Sequence, residues 1–413
     1  MEKLITLFKN NKTLFRFMAL SYLDKAIIFL LPLLVFQFFK DQLVYVSIEY
    51  IYSITTVIIP LIDLGLSGYF FYAYRNSKNH NETLKTFVKS FQRLYLLLSI
   101  IGLGFIAVNY YSFEYQPLIV FIVSRLLFVL ATVFFASYYR LTNRPEKAVY
   151  ITLFSNVLSL SFIFAYFFSG LEFSLWLIFI GQILFAIFYL FKCIIDIFFR
   201  DSEGVKYIEI KGIFVNALLF SWPSIIQVFI MMYIANYGKL NALNSMSLDE
   251  GTLLSLTQRS SMLIQLTHAS ILAFLIKEIY VAKDILSIQK GILFKYLIIL
   301  IMATLGALTL ILGYVFYVKS DFDINRTVLV IFCIISYTFL WCISAFFEVY
   351  YGRENKNKFK LYLAIINGMS FILIFNIIDG GFLEKTVIAM PISVLVSLLC
   401  SLLILKKRNY YLQ

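Results

Sequence analysis

The chain has 413 residues, 61% of them hydrophobic and 14% charged, with a formal net charge of +12; its mean hydropathy is +0.87. Soluble domains carry about 25% charged residues, so a soluble enzyme or binding module is excluded and an integral membrane protein is indicated. The excess of base invites a nucleic-acid partner, but its distribution along the chain has a topological explanation.

Taken in order, the chain opens on a basic stretch, MEKLITLFKNNKTLFR, with no small-residue cleavage site before a short apolar core. It reads as a cytoplasmic N-terminal arm rather than a removed signal peptide. Apolar spans of about 20 residues are predicted at 17–38, 43–73, 94–111, 117–139, 148–168, 174–199, 213–236, 252–276, 291–317, 326–350, 361–378 and 387–405. Twelve helices with short connections place both termini on one side. With the termini cytoplasmic, 27 of the 35 basic residues fall on cytoplasmic segments, against Lys40, Lys239, Lys319, Arg326 and Lys385 outside. That bias obeys the positive-inside rule and accounts for the charge without nucleic acid. Lys25, Arg125 and Arg259 remain, and all three lie within spans.

The outer connections are all short; the longest, around Tyr237 to Glu250, is read as a loop. No GxxxxGK[ST] phosphate loop and no zinc-type His/Cys cluster occurs in the sequence, so no cofactor, metal or ATP hydrolysis is expected. Cys193, Cys333, Cys342 and Cys400 fall in apolar stretches without ligand-like spacing and are read as packing residues. Aromatic runs such as FEYQPL near 113–118 are read as interfacial belts.

The halves resemble each other. The basic segment 75–93 recurs at 277–295, and 140–147 recurs near 351–360. At the same offset Ser21 meets Ser221, Tyr22 meets Trp222 and Glu49 meets Asp249. The expectation is two six-helix lobes, 1–200 and 201–413, entering the membrane from the same side as parallel repeats. Transporters built this way carry their site between the bundles.

The stretch Gly251 to Lys277 is the least usual span, because Arg259, Gln265 and His268 interrupt its apolar run. Groups of this kind at membrane depth normally face a bundle interior or a water-filled cavity. Helical spacing sets Gln258, Ser261, Gln265 and His268 within about 80° of one another, with Arg259 about 100° from Gln258. The pattern predicts a polar cavity stripe with a cation on its flank.

Three segments carry a family resemblance. They are the first helix, LSYLDKAIIFLLPLLVFQFF with Pro32; IPLIDLGLSGYFFYAYR at 59–75; and DEGTLLSLTQR, where Gly251 stands in a G-x-Y-like element. Together they resemble the O-antigen flippase (Wzx-like) branch of the multidrug, oligosaccharidyl-lipid and polysaccharide exporter superfamily. The chain departs from that pattern in its seventh helix, which has no Asp or Lys over 213–236. The resemblance implies a multi-pass protein of the bacterial inner membrane that moves an undecaprenyl-pyrophosphate-linked oligosaccharide to the outer leaflet. Two lobes would open alternately to either side, and a polysaccharide polymerase and a chain-length regulator are the implied protein partners.

The chemistry of that task points to particular residues. A pyrophosphate and its sugars do not tolerate hydrocarbon, so a hydrated, cationic central cavity is needed, and Arg matches phosphate through its planar fork. Lys25, Arg125 and Arg259 are the candidate substrate-binding cations. Each has a structural alternative: an acid on another helix for Lys25, a clamp to Glu49 or Asp63 for Arg125, outward snorkelling for Arg259. Asp24, Asp63 and His268 are candidates for coupling or gating, with ion pairing or packing as the alternative; Gly65, Gly68 and Pro60 beside Asp63 suit a bend. A drug/cation antiporter of the same superfamily is the first rival, but three internal bases against two deep acids favour an anionic cargo. An O-antigen polymerase or ligase would carry a large outer loop.

Overall fold

The computed structural model describes residues 12–111, 118–142, 144, 146–171, 174–199, 207–281, 293–318, 323–353 and 357–410. The N-terminal basic arm before Lys12, most of FEYQPL and the basic residues Lys283 and Lys290 therefore lie outside the described residues. Among those described there are thirteen helices and no strand. They are α1 (Lys12–Phe39), α2 (Gln42–Ile62), α3 (Leu66–Asn76), α4 (His80–Tyr111), α5 (Leu118–Leu141), α6 (Glu146–Ser169), α7 (Trp176–Phe198), α8 (Tyr207–Ser245), α9 (Leu248–Val281), α10 (Phe294–Val318), α11 (Ile324–Arg353), α12 (Asn357–Ile377) and α13 (Phe382–Tyr410). Eleven are long and apolar enough to cross a membrane, so the protein is a multi-pass membrane protein. The long helix outside that set is α9, whose Ser, Gln, Arg and His side chains dilute its apolar run.

The second expected span is two helices. Pro60 removes one backbone donor near the end of α2. Leu64 (φ +50°) and Gly65 (φ +68°) then take left-handed conformations before α3 begins. Asp63 holds the restart: its carboxylate accepts from the Ser67 hydroxyl at 2.8 Å and from the Ser67 amide at 3.3 Å. From α8, the Ser221 hydroxyl donates to the Gly65 carbonyl at 3.3 Å.

Two predicted loops are largely helical. Of the segment 75–93, only residues 77–79 separate α3 from α4. Asn79 starts α4 early, accepting from the Glu82 amide at 3.3 Å and donating to the Glu82 carboxylate at 3.1 Å. The reading of Tyr237 to Glu250 as a loop is corrected in the same way, since α8 continues to Ser245 and α9 starts at Leu248. Ser247 and Glu250 form a reciprocal capping box, amide to carboxylate at 2.8 Å and amide to hydroxyl at 3.3 Å.

The chain divides into two compact units, Met1–Ile225 and Ile226–Gln413. In the first, α1 packs on α6, α2 on α5, and α4 and α5 on α7. Its core is aromatic: Phe70 stacks on Phe87 with ring centroids 4.4 Å apart, and Phe91 on Phe134 at 3.9 Å. In the second, α9 packs on α10 and α11, and α13 on α11 and α12. Tyr296 stacks on Phe346 there, with centroids 4.7 Å apart. Part of the abundant Phe thus fills helix–helix seams. Cys193, Cys333 and Cys342 are free and buried, and Cys400 is free and half-buried. Phe105, Val108 and Phe188 in one unit, and Met302 and Phe332 in the other, are exposed. That is costly in water and natural against lipid.

Candidate functional site

The first polar centre of unit 1 is built where α6 crosses α1. Asn156 of α6 donates from Nδ2 to Asp24 Oδ1 at 2.8 Å, 132 residues away in sequence. The Asp24 side chain is 4% exposed and that of Lys25 is 51% exposed. Lys25 Nζ lies 3.9 Å from Asp24 Oδ2. Backbone directions alone set adjacent residues apart, but the flexible lysine stem lets its ammonium curl back. The carboxylate is therefore held inward by an amide, while the lysine side chain stays about half exposed.

Arg125 of α5 is anchored by two other helices, α2 and α7. Its guanidinium carbon lies 3.7 Å from the centroid of the Tyr52 ring. Nε donates to Thr55 Oγ1 at 3.1 Å and Nη1 to Gln182 Oε1 at 3.3 Å. Thr55 is prepared to accept, because its own proton is directed to the carbonyls of Ile51 and Tyr52, each at 2.9 Å. Tyr52, Thr55 and Gln182 carried no signal in the sequence; each is an ordinary polar residue in an apolar run until the fold brings it to the guanidinium. Asp63 is buried and serves the turn between α2 and α3, as described above.

In unit 2 the polar residues of α9 meet three other helices. Gln258 Nε2 donates to the Ala235 carbonyl of α8 at 3.2 Å, and its Oε1 is buried without a hydrogen bond. Ser261 Oγ lies 3.1 Å from Thr338 Oγ1 of α11. His268 Nδ1 lies 2.6 Å from the Tyr296 hydroxyl of α10, and that hydroxyl is 2.9 Å from the Cys342 carbonyl of α11. A carbonyl can only accept, so the tyrosine proton goes to Cys342 and Nδ1 carries the imidazole proton. Arg259 is 2% exposed, twelve residues into α9 rather than at its tip. Gln265 is half-buried. The stripe therefore runs along packing seams of unit 2, with Gln258, Ser261 and His268 each engaged by a different helix.

Two further arrangements escaped the sequence reading. Gln227 Nε2 donates to Glu348 Oε2 at 2.6 Å. Arg326 Nη2 lies 2.6 Å from both Glu250 Oε1 and Glu384 Oε1, joining the first turns of α9, α11 and α13. The Ser247-x-x-Glu250 capping pattern was visible in the sequence; the second use of Glu250 was not. Among the described residues, no group of three or more His, Cys, Asp or Glu side chains is placed to hold a metal ion.

No family model matches the sequence, and no curated protein matches it. Solved structures do. The chain is similar to a lipid II flippase MurJ in an inward closed conformation, with a TM-score of 0.59, 15% identity, and coverage of 95% of this chain and 87% of that one. It is similar also to an inward-facing multidrug resistance MATE family transporter of the MOP superfamily, with a TM-score of 0.60, 12% identity, and coverage of 92% and 95%. At these identities the likeness is one of fold, and it extends over nearly the whole chain.

Proposed function

We propose that the protein is a flippase for a lipid-linked oligosaccharide whose sugar is joined to the lipid through an anionic pyrophosphate, and that it works without covalent chemistry. It resides in the bacterial inner membrane, crosses it twelve times as two six-helix halves, and keeps both termini in the cytoplasm. The observation that carries the reading is the Asp24–Lys25 pair: the acid is withdrawn into a hydrogen bond and the base at membrane depth is left accessible. A cation so exposed is unfavourable in hydrocarbon unless water or an anion meets it. The fold shared with a lipid II flippase supports a lipid-borne cargo. Arg125 and Arg259 supply further positive charge to the interior of their respective units, and the phosphates meet Lys25 as the protein exposes a hydrated path first to one side and then to the other.

A second reading, export of organic cations, is favoured by the equally good fold match to a multidrug transporter and by two inward carboxylates, the buried Asp24 and the half-buried Glu348. Reconstitution decides between them. Proteoliposomes are loaded in one leaflet with lipid-linked oligosaccharide extracted from the cells that make the protein. Transfer to the other leaflet, above protein-free liposomes, is expected. Failure to transfer, together with ethidium uptake against a pH or sodium gradient, would replace the flippase reading by the antiporter.

A further inference from the structure

An open cleft of about 420 Å³ lies in unit 1 between α3, the start of α4 and the first turns of α8. Its lining includes Tyr69, Asn79, Glu82, Thr83, Thr86 and Asn216. The volume falls within the roughly 300–1,000 Å³ of small-molecule sites. Thr83 Oγ1 is fixed 2.6 Å from Ser77 Oγ and Asn79 is fixed to Glu82, so the cap of α4 pre-positions these polar groups. Asn216 projects from α8 with its amide exposed. Gly212 keeps the opposite wall open: a Cβ there would meet nothing within 4 Å.

We infer that this cleft binds the sugar portion of the transported molecule, a neutral polyhydroxylated group. The inference rests on the flippase reading above. Hydroxyl and amide side chains both donate and accept, as sugar hydroxyls require, and Tyr69 lies beside them in the lining. Among the described side chains the polar lining is neutral apart from Glu82, and this suits hydroxyl groups better than phosphate. Glu82 is exposed and shares an oxygen with Asn79, which leaves it a poor anchor for an organic cation. The walls of the cleft are also the helices joined by Ser221 and Gly65. A sugar seated in the cleft bridges α3 and α8 a second time and holds α3 in place at its hinge.

The test uses the full chain in proteoliposomes and two substrates, the extracted lipid-linked oligosaccharide and the same pool trimmed to its first sugar. Gly212→Trp fills the cleft and Asn216→Ala removes one partner. For the full substrate, the half-saturating concentration should rise about tenfold in Gly212→Trp and about threefold in Asn216→Ala, equivalent to roughly 1.4 and 0.7 kcal/mol. For the trimmed substrate both variants should stay near wild type. Equal losses on the two substrates, or a wild-type response to the full substrate, would overturn the proposal. A wild-type protein that moves neither substrate would instead overturn the flippase reading, and is read from the unmutated chain alone.

Discussion

The Ser221 hydroxyl donates to the Gly65 carbonyl at 3.3 Å, at the point where α2 gives way to α3. Gly65 is there for two reasons. Its φ of +68° is unfavourable for any residue with a side chain, and a Cβ would overlap Ser221. Gly65→Ala should lower stability by about 1–3 kcal/mol, read as the thermal midpoint of the purified protein in detergent. Combining it with Ser221→Gly removes the overlap and should recover part of the loss, leaving the left-handed penalty of roughly 1–2 kcal/mol. Full recovery would show that conformation plays no part.

Arg125 should behave as a hub. Removing its ring contact and both side-chain hydrogen bonds in Arg125→Leu is expected to cost on the order of 2–4 kcal/mol. Arg125→Lys keeps the charge but loses the fork, and should fall between. A double-mutant cycle of Arg125→Lys with Tyr52→Leu, followed by denaturant titration, should give a coupling of roughly 0.5–2 kcal/mol. Strict additivity would mean that the stacking at 3.7 Å contributes nothing.

The His268–Tyr296–Cys342 chain makes a third prediction. Tyr296→Phe strands the Nδ1 proton in the interior of unit 2, while the Cys342 carbonyl, in the middle of α11, keeps its helical amide partner. The expected loss is about 1–3 kcal/mol for the unsatisfied donor. Adding His268→Leu to Tyr296→Phe removes one stranded donor and should regain stability. A Tyr296→Phe protein as stable as wild type would contradict the hydrogen-bond assignment.

Much of this architecture was legible in the sequence because hydrocarbon leaves so few options. Backbone groups in lipid must be satisfied within helices, so apolar length reported nearly every span. It misread 75–93 and Tyr237 to Glu250, where polar residues continue or begin helices outside the apolar stretch, aided by caps at Asn79 and Ser247. The break after Asp63 was half legible: Pro60 and Gly65 announced a bend, but not that Asp63 would close it by binding Ser67. The candidate residues divide in the same way. Intramembrane charge marked Lys25, Arg125 and Arg259, while their surroundings depend on contacts such as Asn156 to Asp24 and Gln182 to Arg125, which link residues far apart in the chain.

The exposed ammonium of Lys25 is the centre of the functional account, and charge exchange at that position tests it most directly. In proteoliposomes carrying extracted lipid-linked oligosaccharide, Lys25→Gln should reduce transfer at least about tenfold, the scale of one lost charged contact of roughly 1.4 kcal/mol, while Lys25→Arg retains most of it. Asp24→Asn, which keeps an acceptor for Asn156, should leave transfer near wild type and separates loss of the base from loss of the pair. Wild-type transfer by Lys25→Gln, at wild-type amounts of folded protein in the membrane, would contradict a cationic path for the substrate.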